Sequence, residues 1–158
     1  MEKINSLTGM TDLIETKADE NVLANKVFQT EKILKEIFTN YAMSEIRTPA
    51  LENTNLFKRS VGDTSDIVNK ELYTFSDKND KSITLRPEGT ASVMRSIIEK
   101  KLDGETHKLW YLGPMWRYER PQKGRYRQFN QAGIEILGYP EGAPEFELIT
   151  LICELNRK

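Results

Sequence analysis

Apolar residues recur at near-helical spacing from Asp19 to about Tyr41, where Leu23, Val27, Leu34, Ile37, Phe38 and Tyr41 fall on one face. The stretch reads as an amphipathic helix with Asp19 as its N-cap and polar Thr39-Asn40 at its fraying end. A short strand from Ser44 to Thr48 follows and stops at Pro49, which has no N–H to give a ladder. Leu72 to Phe75 and Ser82 to Leu85 read as a hairpin closed by the turn residues Asp77 to Asp80. The helical period returns from Thr90 to Lys100, with Val93, Ile97 and Ile98 inward, and again from Glu145 to Asn156 after Gly142-Ala-Pro144. Strands in the middle and helices at either end predict an α+β fold with an antiparallel sheet flanked by helices.

The longest strand signal lies between these helices. Leu109 to Arg120 and Arg127 to Leu137 are rich in aromatic and branched residues, and Pro121-Gln-Lys-Gly124 between them is a turn signal. Side chains alternate along a strand, so Arg117 and Glu119 share one face, and Phe129, Gln131, Gly133 and Glu135 share a face of the second strand. If both faces point into one cavity, it holds a guanidinium, two carboxylates, an amide and an aromatic ring. Such groups are costly to bury without partners, so a ligand is the simplest common partner. Gly133 would leave room for that ligand to approach the backbone.

Charge sharpens the expectation. The 158-residue chain carries 23 basic and 24 acidic residues, a net charge of −1. Met115 to Asn130 holds Arg117, Arg120, Lys123, Arg125 and Arg127 against Glu119 alone, which makes that window +4 and the remainder −5. Fork-shaped Arg donors match phosphate oxygens, so clustered arginines suit a polyphosphate. The alternative is a solvated basic hairpin with no ligand.

The segment Arg117 to Gln131, RYERPQKGRYRQFNQ, resembles motif 2 of the class II aminoacyl-tRNA synthetases, and specifically that of the histidyl-tRNA synthetases. Upstream, Leu85-Arg-Pro-Glu-Gly-Thr-Ala91 resembles that family's amino-acid-binding loop. The likeness also takes in Gly9-Met10, Glu45-Ile-Arg-Thr-Pro49 and Tyr73-Thr-Phe75, and so runs over essentially the whole chain. Tyr118 and Asn130 stand where the family often has histidines, and Trp116 where Phe is usual.

The resemblance implies roles residue by residue. Arg117 would be the catalytic residue, gripping the α-phosphate of ATP where charge builds as the amino-acid carboxylate attacks. Glu119 would accept from the adenine amino group, Phe129 would stack on the ring, and Arg125 would reach the γ-phosphate. Glu88, Gly89, Thr90, Arg117 and Gln131 would hold histidine, with Glu88, Thr90 and Gln131 around its α-ammonium, and Glu135 would meet the imidazole. Arg120, Lys123 and Arg127 would contact the acceptor stem of histidine tRNA, because basic side chains on phosphates supply affinity rather than sequence choice. ATP and Mg²⁺ would be the cofactors, and the helix, strand and Pro49 that resemble motif 1 imply a homodimer. Each residue also has a purely structural reading: Arg117 in a salt bridge to Glu119, Phe129 as core filling, Glu88 as a carboxylate at a helix start, and the motif 1 region packed within one monomer.

Composition bounds the rest. The chain has one domain's worth of residues, no internal repeat and no low-complexity run. One cysteine, Cys153, excludes an internal disulfide, and one histidine, His107, offers no metal-ligand cluster and reads as a strand-edge residue. The N-terminus carries Glu2, Asp12 and Glu15 without an apolar run, and no 18-residue apolar stretch occurs, so a cytoplasmic protein is expected. After Glu135 only Arg157 remains among the arginines. The expectation is therefore the N-terminal part of a class II catalytic domain, with motifs 1 and 2 but without motif 3 and an anticodon-binding domain. Two other functions stay open: a non-catalytic histidine-sensing paralogue resembling the regulatory subunit of ATP phosphoribosyltransferase, and a nucleic-acid-binding module that uses the basic hairpin alone.

Overall fold

The computed structural model describes residues 3–15, 22–62, 65, 67–120 and 122–158. The proposed cap Asp19 and turn residue Pro121 lie outside them. Helix α1 runs Val22–Asn40 and leads into β1, Ser44–Glu45, then β2, Leu51–Asn53, and α2, Thr54–Val61. A π-helical turn, Ile67–Glu71, precedes β3, Thr74–Ser76, and β4, Ser82–Leu85. Helix α3, Thr90–Glu99, then feeds the long pair β5, His107–Trp116, and β6, Gln128–Leu137, and α4, Ala143–Leu155, follows.

Two sheets result, with orders β1-β5-β6 and β2-β4-β3. The mixed α+β class is as expected, but the first sheet is not wholly antiparallel: β1 pairs with β5 in parallel, Ser44 opposite Leu109 and Glu45 opposite Trp110. The strand expected at Ser44 to Thr48 is two residues long in that ladder, and the separate strand β2 pairs antiparallel with β4. The hairpin β3–β4 forms, its first strand running Thr74–Ser76 instead of Leu72 to Phe75, and the Asp77 carboxylate accepts from the Asn79 and Lys81 amides at 2.8 and 2.9 Å.

The β5–β6 ribbon is the platform of the site, and each of its faces has its own core. On one face Trp110 packs with Ile37 and Phe38 of α1, Met43 and Leu151 of α4, the Phe38 and Trp110 rings lying 5.1 Å apart. On the other, Tyr111 and Met115 pack with Val93 and Ile97 of α3. Burying a side chain such as Phe38 or Val93 contributes about 1.5–3 kcal/mol each, so these contacts hold α1, α3 and α4 on the ribbon. Two residues expected inward are not: Leu23 is 58% exposed near the start of α1, and Ile98 is 61% exposed on α3. Three positions after Val93 and Ile97 would be Ser96 and Lys100, so Ile98 belongs to the flank of α3, not to the stripe over Tyr111.

Strand β5 ends at Trp116, four residues short of the reading to Arg120. The backbone beyond finds other partners: Trp116 donates to the Arg86 carbonyl at 3.1 Å, Tyr118 to that of Glu71 at 2.6 Å. The Arg117 amide still bonds to the Arg127 carbonyl at 3.0 Å, so the chain here bridges the segment leading into β6 and the Arg86 to Thr90 loop that follows β4. The tip turns through Gln122 to Arg125, closed by a 2.9 Å bond from the Arg125 amide to the Gln122 carbonyl. Gly124, with φ of 83°, occupies the turn position that disfavours a side chain.

Candidate active site

The register places the second-strand residues as the alternation requires. Phe129, Gln131, Gly133 and Glu135 stand opposite Met115, Gly113, Tyr111 and Leu109 on the face that α3 covers at one end. Arg117 continues this face past the end of β5. Its Nε donates to the Pro87 carbonyl at 2.9 Å and its guanidinium lies 5.2 Å from the centre of the Phe129 ring. The salt bridge to Glu119 goes to a different arginine: Arg125 Nε is 3.5 Å from Glu119 Oε2.

Arg117, Glu119, Arg125 and Phe129 line one hollow of about 490 Å³ together with Glu71, Gly124 and Tyr126. The sequence reading missed Glu71 and Tyr126; one lies on the π-helical turn, far from any motif, and the other alternates outward in the basic tip. A larger hollow of about 1120 Å³ runs between α2 and α3 over Leu56, Met94 and Ile98, and meets the site only at Glu88 and Thr90. Its charged residues Glu52, Arg95 and Glu99 are paired with one another, whereas the smaller hollow gathers the motif residues Arg117, Glu119, Arg125 and Phe129, so the smaller one is the better candidate for chemistry.

Two buried acceptors in the site have no hydrogen-bond donor, Gln131 Oε1 and Glu119 Oε2, the latter meeting only the long Arg125 contact. Unpaired buried acceptors cost about 1–3 kcal/mol each, so both atoms call for a donor that the fold itself does not supply. Glu88 has a structural partner: its Oε1 accepts from the Ala91 amide at 3.0 Å and so caps the first turn of α3. Thr90, the first residue of α3, donates to Glu135 Oε1 at 2.7 Å, while Gly89 ahead of it serves as the N-cap. Burial raises the Glu135 pKa above the ordinary carboxylate value, the nearby Glu88 charge adds to this, and the Thr90 hydrogen bond pulls it back.

Gly133 does not open a gap for a ligand. A Cβ built there would fall 2.1 Å from Tyr111 Cζ, and one on Gly89 would fall 2.2 Å from the same atom. The Tyr111 ring lies across its own cross-strand partner and fills the space between the two glycines. Gly113 is likewise approached, its ideal Cβ 3.0 Å from an Arg86 terminal nitrogen. Arg86 is half-buried and spends its donors on backbone and hydroxyl, Nε to Pro114 O at 3.1 Å and one terminal nitrogen to Thr48 O and Oγ1 at 2.8 and 3.0 Å. Sequence reasoning assigned nothing to Tyr111 or Arg86; three glycines on or beside one strand face were the available signal.

The basic tip divides. Arg120 and Lys123 are exposed. Arg127 instead folds back, its Nε 3.2 Å from the Glu119 carbonyl and its guanidinium 4.1 Å from the Tyr118 ring centre. The N-terminal segment fastens this point, Gly9 O accepting from both the Arg127 and Gln128 amides at 2.8 and 3.1 Å. His107 lies at the far end of β5, its Nε2 2.8 Å from the Leu102 carbonyl. Among the described residues no group of three or more His, Cys, Asp or Glu side chains could hold a metal ion.

The fold is shared with solved aminoacyl-tRNA synthetases. It matches the apo histidyl-tRNA synthetase of S. aureus with a TM-score of 0.77 and 39% identity, over 98% of this chain and 34% of that one. A Bacillus halodurans structure described as an ATP phosphoribosyltransferase regulatory subunit/histidyl-tRNA synthetase has the same fold, with a TM-score of 0.70 at 23% identity, over 98% of this chain and 38% of that one. The histidyl-tRNA synthetase family model matches residues 20–157. The histidine–tRNA ligase of Desulfitobacterium hafniense is 57% identical over 127 residues, which is 79% of this chain and 30% of that protein. The chain belongs to the histidyl-tRNA synthetase family, and it spans about 30% of the length of the curated relatives it matches.

Proposed function

We propose that this chain carries the ATP- and histidine-holding part of a histidine–tRNA ligase. The observation that carries the reading is the single hollow in which Arg117, Glu119, Arg125 and Phe129 meet, joined to the Glu88, Thr90, Gln131 and Glu135 cluster through the bond from Arg117 to Pro87. Adenine enters over Phe129, where stacking is worth about 1–3 kcal/mol, and donates a hydrogen bond from its amino group to Glu119. Arg125 releases Glu119 and turns to the γ-phosphate; its side chain is 62% exposed, so the move costs little. The histidine carboxylate then attacks the α-phosphate, forming a P–O bond as the bond to pyrophosphate breaks, and Arg117 stabilises the charge on the phosphoryl oxygens.

On the amino-acid side, the α-ammonium meets Glu88, the Thr90 hydroxyl and the unpartnered Gln131 oxygen. The imidazole N–H meets Glu135. The acyl group passes from the adenylate to the terminal ribose of histidine tRNA, whose acceptor stem Arg120 and Lys123 can reach, with Arg127 bracing the loop from within as well as adding charge. With no group of three or more His, Cys, Asp or Glu side chains among the described residues, Mg²⁺ would arrive with ATP and help neutralise its phosphate charge. Homodimerisation through the α1 to Pro49 region and a cytoplasmic location belong to the same proposal; no helix among the described residues is long and apolar enough to cross a membrane. The exposed cations Arg120 and Lys123 favour this reading over a histidine sensor, which needs no phosphate contacts. A module that bound nucleic acid through the hairpin alone would have no use for the buried, unpartnered Gln131 oxygen beside the half-buried Glu135 carboxylate.

The test is ATP–pyrophosphate exchange by the 158-residue chain, run with histidine against other amino acids and with Arg117→Ala as control. Histidine-dependent exchange that the control lacks is the expected result. Its absence, together with no binding of ATP or histidine by calorimetry, would sink the proposal.

A further inference from the structure

Gly9 has no part in the function proposed above, yet it is where the N-terminal segment meets the site. Across residues 3–15 the chain is exposed except at Gly9 and Met10, which are partly buried. Ile4 and Leu7 are 95% and 70% exposed, so apolar burial does little to hold the segment there. Its hold is polar. A turn from Leu7 to Met10, closed by a 3.0 Å bond from the Met10 amide to the Leu7 carbonyl, has Gly9 at its third position with φ of 79°, the value a type II turn asks for there. From this turn the Gly9 carbonyl accepts from two consecutive amides, Arg127 and Gln128, at 2.8 and 3.1 Å. A side chain has little room, since a Cβ on Gly9 would lie 3.0 Å from Arg127 Cγ and 3.1 Å from its amide nitrogen.

Arg127 carries this anchoring into the nucleotide hollow. The β5–β6 ladder stops at Trp116 and Gln128, so Arg117 and Glu119 take their backbone partners from Arg127 and from each other. The Arg127 carbonyl accepts from the Arg117 amide at 3.0 Å, its Nε donates to the Glu119 carbonyl at 3.2 Å, and the Glu119 amide donates to the Arg117 carbonyl at 2.8 Å. Arg117 and Glu119 line the hollow, and so does Phe129, two positions on from Arg127.

We propose that Gly9 is a positioning residue of the nucleotide hollow: its carbonyl fixes Arg127, and Arg127 fixes the backbone from which Arg117 reaches the α-phosphate and Glu119 the adenine amino group. The inference rests on the reading that this hollow takes ATP. The amino-acid cluster is placed by other elements, Glu88 and Thr90 by the start of α3 and Glu135 by the far part of β6. Loss of the Gly9 contact therefore acts on one ligand and spares the other.

The experiment is calorimetric titration of the 158-residue chain with ATP and, separately, with L-histidine, comparing wild type, Gly9→Ala and Leu7→Ala. Gly9→Ala should weaken ATP binding about ten-fold, because restoring the contact now costs the strain of a left-handed alanine. Its histidine affinity should stay within about two-fold of wild type, as expected for a distant site. Leu7→Ala, an exposed change in the same turn, should bind both ligands like wild type. Wild-type ATP affinity in Gly9→Ala overturns the inference, and so does an equal loss for ATP and histidine, which would mark a general support of the fold. ATP binding weakened as much by Leu7→Ala as by Gly9→Ala overturns the assignment to the Gly9 carbonyl. Should Gly9→Ala fail to fold, amide exchange in wild type decides. Protection of the Arg127 and Gln128 amides that rises with ATP supports the inference, and protection that ATP leaves unchanged, or none, overturns it. In each of these failures ATP binding by wild type leaves the functional reading intact. No ATP binding by wild type removes both.

Discussion

Arg117 and Pro87 are joined by a 2.9 Å hydrogen bond from Nε to the backbone carbonyl, which ties the end of the long ribbon to the loop that starts α3. One donor of the fork is committed to the scaffold and the terminal nitrogens lie over Phe129 at the edge of the hollow. Lysine can supply a charge to a phosphate or a donor to Pro87, and its single ammonium cannot do both in this geometry. Arg117→Lys should therefore keep a thermal midpoint close to wild type and weaken ATP binding at least about ten-fold, the scale of one charge-assisted hydrogen bond. Equilibrium dialysis with labelled ATP measures it, and unchanged affinity would place the phosphate site elsewhere.

Glu88 has two tasks that a pair of substitutions separates. As the acceptor for the Ala91 amide it satisfies one of the open donors of α3, and as a charge it can attract an ammonium group. Glu88→Gln retains an oxygen for the amide but removes the charge, so it should hold stability to within about 0.5 kcal/mol and still lose histidine affinity. Glu88→Ala should lose the same affinity and, in addition, about 1 kcal/mol of stability in urea unfolding. If Gln and Ala proved equally destabilising, the cap would be irrelevant to α3.

These tests follow from features that were unequally visible in the sequence. The ribbon and its inward set of Phe129, Gln131 and Glu135 were legible because alternation with period two is a local property. The β1–β5 pairing was not, since a parallel partner 65 positions away leaves no trace in a two-residue strand. Nor was α2: its polar sequence shows only the Asn53 cap, whose side chain accepts from Asn55, and Gly62 at its end. Gly133 reads from the sequence as room for a ligand to approach the backbone, and the structure fills that room. What approaches is Tyr111 rather than a ligand, because the residue opposite a strand glycine has first claim on the space. A tyrosine between Trp110 and Leu112 looks like ordinary core, so its position could not be told from the strand alone.

Arg86 illustrates a structural role that mimics a functional one. It is a half-buried cation whose hydrogen bonds go to Thr48 and Pro114, linking the segment before β2, the end of β4 and strand β5. Burial pushes its pKa down, with the neighbouring Tyr111 and the Glu52 carboxylate working against this. Removing it leaves the Thr48 and Pro114 carbonyls without these donors, and at about 1 kcal/mol each Arg86→Ala should cost about 2–3 kcal/mol in urea unfolding. Arg86→Lys should recover less than half of the loss, because one ammonium cannot span both carbonyls. A loss below about 0.5 kcal/mol for Arg86→Ala would contradict this bracing role.

Glu135 gives the fold a pH dependence whose sign is fixed by its surroundings. Burial, and then the Glu88 charge, raise its pKa in the folded state above the unfolded value, and the Thr90 hydrogen bond only partly offsets them. A carboxyl raised on folding favours the native state while it is protonated, so its contribution is complete below the unfolded pKa and is lost as pH climbs through the folded one. Glu135→Gln is neutral at every pH and can still accept from Thr90. The variant should therefore match wild type in urea unfolding near pH 4 and be more stable than wild type near pH 7, where wild type must hold a half-buried charge beside Glu88. Histidine should narrow the gap at the higher pH, because its imidazole and ammonium groups favour the ionised carboxylate that the empty fold disfavours. A difference between wild type and Glu135→Gln that stayed constant across this range would show that Glu135 titrates normally, and that burial beside Glu88 does not tune it.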